Sequence, residues 1–111
     1  MLIAFSRDYQ NLKLILLSLS KERLNRKQKK ILHYLYNTKI IINVTNLVHK
    51  LSIELNCSKS ALWNNLNSLK KYGLINYSSL HNKGLPVKLT SIGKIISKEL
   101  EDDKNDTKIR N

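Results

Sequence analysis

The sequence predicts a mainly helical chain with one small β-hairpin, and three features predict it. Apolar residues recur at spacings of three and four through five separate stretches, as helices with one buried face require. Asn56 and Gly73 stand where two of those stretches stop, and both tolerate a left-handed backbone. After Gly73 the pattern changes to an extended run, a tip containing asparagine and glycine, and a second extended run.

The elements follow in order. Residues 1–6 are a short apolar start, and Asp8 to Ser20 reads as a helix with Leu12, Ile15, Leu16 and Leu19 on one stripe, widened by Leu14 and Leu17. So wide an apolar face on a short helix needs a partner, from its own domain or another subunit. Asp8 and Lys13 interrupt it, and its apolar length falls short of the ~20 residues of a membrane span. No basic start or small-residue cleavage site marks a secretory leader, so a cytoplasmic location is expected. Lys21 to Lys30 is a charged joint with six basic residues and one acid. A helix from about Asn25 to Asn37 follows, with Leu24 at its start and Ile31, Leu32 and Leu35 facing in. Three β-branched residues, Ile40 to Ile42, favour a short strand able to pair with the later ribbon.

The next helix starts near Thr45 as its cap and turns Leu47, Val48, Leu51 and Leu55 inward. Asn56 takes the sharp turn and Cys57 is a small apolar plug. Ser58 caps the following helix through its side-chain oxygen, and Leu62, Leu66 and Leu69 mark the buried face of that helix. Gly73 stops it. The ribbon reads Leu74 to Leu80 and Pro86 to Leu89, with His81 to Gly84 at the tip and Pro86 fitting an edge position. A last helix from Ser91 to Glu101 carries Ile92, Ile95, Ile96 and Leu100 on one face. Asp102 to Asn111 is polar and mixed in charge, which predicts disorder. The organisation is therefore an N-terminal apolar helix and basic joint (1–24), a central domain (25–101) and a polar tail (102–111).

Charge points to a partner. Lys and Arg total 20 against 8 acids, giving +12 over 111 residues. Five of the acids lie in the last 13 residues, so residues 1–98 carry 17 basic and 3 acidic side chains, a surplus of +14. A compositional drift toward lysine should raise glutamate too, yet only four glutamates occur. A body this poor in anions is what a protein that meets phosphates shows.

The succession Leu51-x-x-x-Leu55-Asn56-Cys57-Ser58-Lys59-Ser60, then Leu66-x-x-Leu69-x-x-x-Gly73-Leu74-Ile75, then Lys88-Leu89-Thr90-x-x-Gly93 resembles the winged helix-turn-helix domain of small prokaryotic transcription regulators. The group is the MarR/ArsR-like one with its archaeal relatives, and the resemblance covers Leu47 to Leu100, about half the chain. Asn56 replaces the usual glycine of the turn, Cys57 a usual aliphatic residue, and Asn64 stands where arginine is common. What the resemblance implies is a winged helix with extra N-terminal and C-terminal helices, a double-stranded DNA partner, and homodimerisation through those extra helices. In that reading Ser58 to Tyr72 enters the major groove and His81 to Gly84 lies on adjacent backbone or minor groove.

With Leu62, Leu66 and Leu69 inward, steps of 100° per residue place Lys59, Ser60, Trp63, Asn64 and Asn67 outward. Amides pair with adenine edges, and lysine reaches guanine or phosphate. Asn64, Asn65 and Asn67 hint at A·T-containing sites. Ser58 and the helix N-terminus suit a phosphate, and Lys70 and Lys71 suit backbone. Asn82, Lys83 and Lys88 belong to the wing. Arg23, Arg26, Lys27, Lys29 and Lys30 flank the site with non-specific affinity. Each lysine taken singly is as readily a solvated surface residue; the set is not. A lone tryptophan such as Trp63 is more often half-buried core than a base-stacking platform.

Catalysis finds no support. The single Cys57 excludes an internal disulfide and a multi-cysteine zinc site, and His33, His49 and His81 lack metal-ligand spacing. No glycine-rich phosphate loop and no paired carboxylates outside the tail occur, so neither an enzyme nor a cofactor is expected. The function expected is sequence-specific transcription regulation. The rivals are an architectural or segregation-type DNA binder and a winged-helix module that docks onto another protein.

Overall fold

A computed structural model describes the backbone of residues 2–39, 41–77 and 86–110 and the side chains of residues 8–39, 41–77 and 86–102. Its elements are α1 (Leu2–Arg23), α2 (Arg26–Asn37), α3 (Val44–Glu54), α4 (Lys59–Lys71), β1 (Ile75–Asn76), β2 (Lys88–Leu89) and α5 (Ser91–Arg110). The predicted class, mainly helical with one small antiparallel hairpin, holds. β1 pairs with β2 in the register Ile75 to Leu89 and Asn76 to Lys88.

The core draws on every element. Ile31 and Leu32 of α2, Leu47, Val48 and Leu51 of α3, Leu62, Leu66 and Leu69 of α4, Ile75 of β1 and Ile96 of α5 are all buried together. Leu24 and Leu16 join this same core, so α1 lies along α5 as part of the packed body, with a Lys13–Glu99 ion pair of 3.1 Å between them.

α3 and α4 end in the same way. The N–H of Cys57 donates to the Ser52 carbonyl and that of Asn56 to Ile53; the N–H of Leu74 donates to Leu69 and that of Gly73 to Lys70. Each is the paired termination that satisfies the last carbonyls through one left-handed residue. That residue is Asn56 at φ 50° in the first and Gly73 at φ 80° in the second. Asn56 thus replaces glycine without changing the turn.

Several boundaries differ from the sequence expectation. α1 begins at Leu2 and ends at Arg23 rather than spanning Asp8 to Ser20. α3 is capped by Asn43, whose side chain accepts from the Asn46 N–H, and not by Thr45; asparagine two residues earlier is as good a cap and gives the helix another turn residue. α5 continues as helix to Arg110, beyond the predicted end at Glu101 and through the stretch expected to be disordered. No glycine or proline follows Gly93 to stop it. The strands are shorter than predicted: β1 ends at Asn76, β2 holds only Lys88 and Leu89, and the expected tip at His81 to Gly84 lies outside the described residues. Of the strand predicted at Ile40 to Ile42, Ile40 lies outside the described residues and Ile41 and Ile42 form no strand; the neighbouring Asn43 makes one bridge to Pro86, beside a 2.9 Å bond from the Val87 N–H to the Ile42 carbonyl. Pro86 has no N–H to extend a ladder, and Ile41 is 81% exposed.

Thr90 and Gly93 explain the spacing Lys88-Leu89-Thr90-x-x-Gly93. The Thr90 hydroxyl accepts from the Gly93 N–H at 3.0 Å and donates to the Gly73 carbonyl at 2.6 Å. Its backbone N–H donates to the Leu74 carbonyl at 3.0 Å. A Cβ on Gly93 would sit 1.9 Å from that same Leu74 oxygen. The start of α5 is therefore seated directly on the turn that ends α4.

Candidate nucleic-acid interface

α4 has two opposite sides. Leu62, Leu66 and Leu69 have no exposed area and carry the packing. Ser58 caps the helix by accepting from the Ala61 N–H at 3.1 Å. Lys59, Ser60, Asn64, Asn67 and Lys71 are exposed along the other side. At 13 residues the helix is about 20 Å long, and its N-terminus carries the positive end of the helix dipole. From Leu55 to Lys98 the chain has seven lysines and no carboxylate, so α4 and the ribbon beside it lack acids of their own.

Of the three asparagines expected to hint at A·T sites, Asn65 turns toward α2: its Oδ1 accepts from Asn25 Nδ2 at 2.9 Å and from Gln28 Nε2 at 3.2 Å, and its Nδ2 donates to the Ala61 carbonyl at 2.9 Å. It is a joint between helices and leaves the amide cluster with two members, Asn64 and Asn67. Asn25 and Gln28 also form a capping box at the start of α2. The Asn25-x-x-Gln28 spacing of that box is legible in the sequence.

A second cluster, not expected from the sequence, surrounds Tyr77, just after β1. The Tyr77 hydroxyl donates to Asn67 Oδ1. Lys70 Nζ donates to the Tyr77 carbonyl at 2.9 Å and lies 4.3 Å from the centre of its ring. Trp63 meets that ring edge-on, with centroids 6.5 Å apart and planes at 68°. Trp63 is half-buried against the core, as tryptophan usually is, and Lys70 is half-buried too. Burial pushes the Tyr77 phenol above its ordinary pKa, which favours the neutral donor form. Trp63, Asn67 and Lys70 are spaced by four and three, so one aromatic residue meets a whole edge of α4. That spacing was the available signal.

The remaining predicted residues are scattered. Lys88 is exposed on β2, while Asn82 and Lys83 lie outside the described residues. Arg26, Lys27 and Lys30 of α2 are exposed, but Arg26 and Lys30, with Lys29, line a cavity of 590 Å³ beside Leu51, Leu55, Ser97 and Leu100. That is the side of α2 turned to α3 and α5, not the side that meets α4. Arg23 is exposed at the end of α1. Among the described residues no cluster of histidine, cysteine and carboxylates forms a metal site, and no helix is long and apolar enough to cross a membrane.

Two helices joined by a tight turn (α3 and α4), the two-stranded ribbon β1–β2 and the closing helix α5 make up a winged-helix fold. Solved structures share it. MepR from Staphylococcus aureus, a transcription regulator of the multidrug efflux pump MepA, matches with a TM-score of 0.60 at 18% identity, covering 96% of this chain and 80% of its own. ZitR of Lactococcus lactis, as its C30AH42A mutant in apo form, matches with a TM-score of 0.60 at 25% identity, covering 96% and 76%. The adhesin competence repressor AdcR from Streptococcus pyogenes matches with a TM-score of 0.58 at 23% identity, covering 93% and 75%. At these identities the likeness shows a shared fold. MepR bound to DNA matches as well, with a TM-score of 0.56 at 16% identity over 97% and 80%. No protein-family model and no curated protein sequence matches the chain.

Proposed function

We propose that the protein is a transcription regulator that binds duplex DNA at specific sequences, with the exposed side of α4 in the major groove. The observation that carries this reading is the division of α4 into a leucine side that holds the core and an opposite side of exposed lysine, serine and asparagine. Side chains of that kind make both base-edge and phosphate contacts. The surplus of +14 over residues 1–98 supplies the long-range attraction. The existence of a MepR–DNA complex with the same fold supports a DNA partner for this architecture.

The site we assign comprises Ser58, Lys59, Ser60, Asn64, Asn67 and Lys71 on α4, and Lys88, Asn82 and Lys83 on the ribbon, with Lys27 and Arg26 adding non-specific affinity. The functional unit is a homodimer. In support, Tyr9, Leu12, Leu14, Ile15 and Leu19 of α1 and Ile92 of α5 are exposed large apolar side chains on neighbouring helices. Two copies with α4 helices ~34 Å apart would read an inverted repeat.

The test is selection of duplexes from a random pool by the full chain, compared with Lys59→Ala/Asn64→Ala. Enrichment of one inverted repeat, lost in the double variant, supports the reading. Equal binding of any duplex points instead to an architectural binder. Binding that survives the double variant unchanged removes α4 from the interface.

A further inference from the structure

We propose that Tyr77 is a specificity-determining positioning residue: it holds Asn67 so that this side chain meets a base edge as a hydrogen-bond donor, and it keeps Lys70 off the phosphates. The proposal rests on the DNA-binding reading above and names which bases that interface prefers.

Asparagine recognises adenine by using both ends of its amide, the oxygen accepting from N6 and the nitrogen donating to N7. In this protein the oxygen end of Asn67 is turned toward Tyr77, whose hydroxyl donates to Oδ1. The amide is planar, so pointing its oxygen at Tyr77 swings the Nδ2 donors the other way, toward the exposed side of α4. A donor-only group matches the N7 and O6 acceptors of guanine or the O4 of thymine better than it matches adenine. Tyr77 is itself fixed. Trp63 abuts its ring at 68°, and Lys70 grips its carbonyl at 2.9 Å while lying over the ring at 4.3 Å. Those contacts hold Lys70 to the ribbon, whereas Lys71 beside it stays exposed. The bidentate adenine pairing open to a free asparagine therefore does not extend to Asn67.

The experiment compares duplex selection by the full-length wild type and by Tyr77→Phe, which keeps the ring and its Trp63 contact but removes the hydroxyl. The wild type is expected to select guanine or thymine at one position of each half-site. In Tyr77→Phe that position alone should shift toward adenine by roughly three- to tenfold, the worth of one hydrogen bond. Asn67→Ala should relax the same position. A merely structural Tyr77 would weaken all positions together. In salt titrations Lys70→Met should leave the slope of log affinity unchanged, while Lys71→Met should reduce it by about 0.9. Identical base preferences for wild type and Tyr77→Phe, or equal slope losses for the two lysine variants, would overturn the proposal. If the wild type enriches no sequence at all, the DNA-reading function fails first and takes this inference with it.

Discussion

Gly93→Ala is the substitution whose cost follows most directly from geometry. An added Cβ would lie 1.9 Å from the Leu74 carbonyl oxygen and 2.9 Å from its carbon. Carbon and oxygen rest about 3.3 Å apart in ordinary contact, so α5 must retreat by roughly 1.4 Å from rigid backbone. Overpacking of that kind costs about 1–3 kcal/mol, here at the upper end because no side chain can swing aside. The retreat also threatens the 3.0 Å bond from the Thr90 N–H to the same oxygen, worth about 1 kcal/mol. Against this, alanine is a better helix former by ~1 kcal/mol. The net loss is about 3 kcal/mol, read by urea denaturation followed by circular dichroism, or as a fall in Tm of at least roughly 10 °C. Gly73→Ala is the control. Nothing lies within 4 Å of its Cβ position, so only the strain of φ 80° opposes it, about 1–2 kcal/mol. If Gly93→Ala is as stable as the wild type or more so, the seating of α5 on the α4 turn is wrong.

Three further outcomes are expected. Ser58→Ala should cost about 1 kcal/mol by removing the cap on Ala61, seen as a lower urea midpoint with an unchanged slope. Leu66→Ala, at a side chain with no exposed area, should cost about 3–5 kcal/mol and leave the domain marginal by the same assay. Tyr77 has its pKa raised above the ordinary 10.0 by burial, so its contribution to stability is complete below that value and fades as pH rises through the folded-state pKa. In an ultraviolet titration of tyrosinate, Tyr77→Phe should remove amplitude from the high-pH end of the curve.

The parts of the fold that depend on local rules were legible. The buried leucines of α4, the Ser58 cap and the left-handed Asn56 and Gly73 each follow from spacing and backbone preference, and each stands in the structure. Boundaries were harder, because Asn43 and Thr45 are competing caps and because nothing after Gly93 marks an end to α5. Sidedness around α4 was only partly legible. Counting 100° steps sets Asn67 a short arc from Asn64 and swings Asn65 toward the buried Leu69, but it cannot reveal that Asn25 and Gln28 engage Asn65 from α2 or that Tyr77 engages Asn67 from beyond β1. Those partners lie 40, 37 and 10 residues away in sequence. Which polar side chains remain free for a ligand is decided by such long-range bonds.

The most direct test of a cationic, groove-seeking surface is the salt dependence of duplex affinity, measured by fluorescence anisotropy between about 50 and 200 mM monovalent salt. If six to ten phosphates are neutralised, log affinity should fall against log salt with a slope of roughly −5 to −9, and Lys59→Ala should make it shallower by about 0.9. A slope near zero, or one that Lys59→Ala leaves unchanged, would contradict the assignment of α4 to the DNA interface.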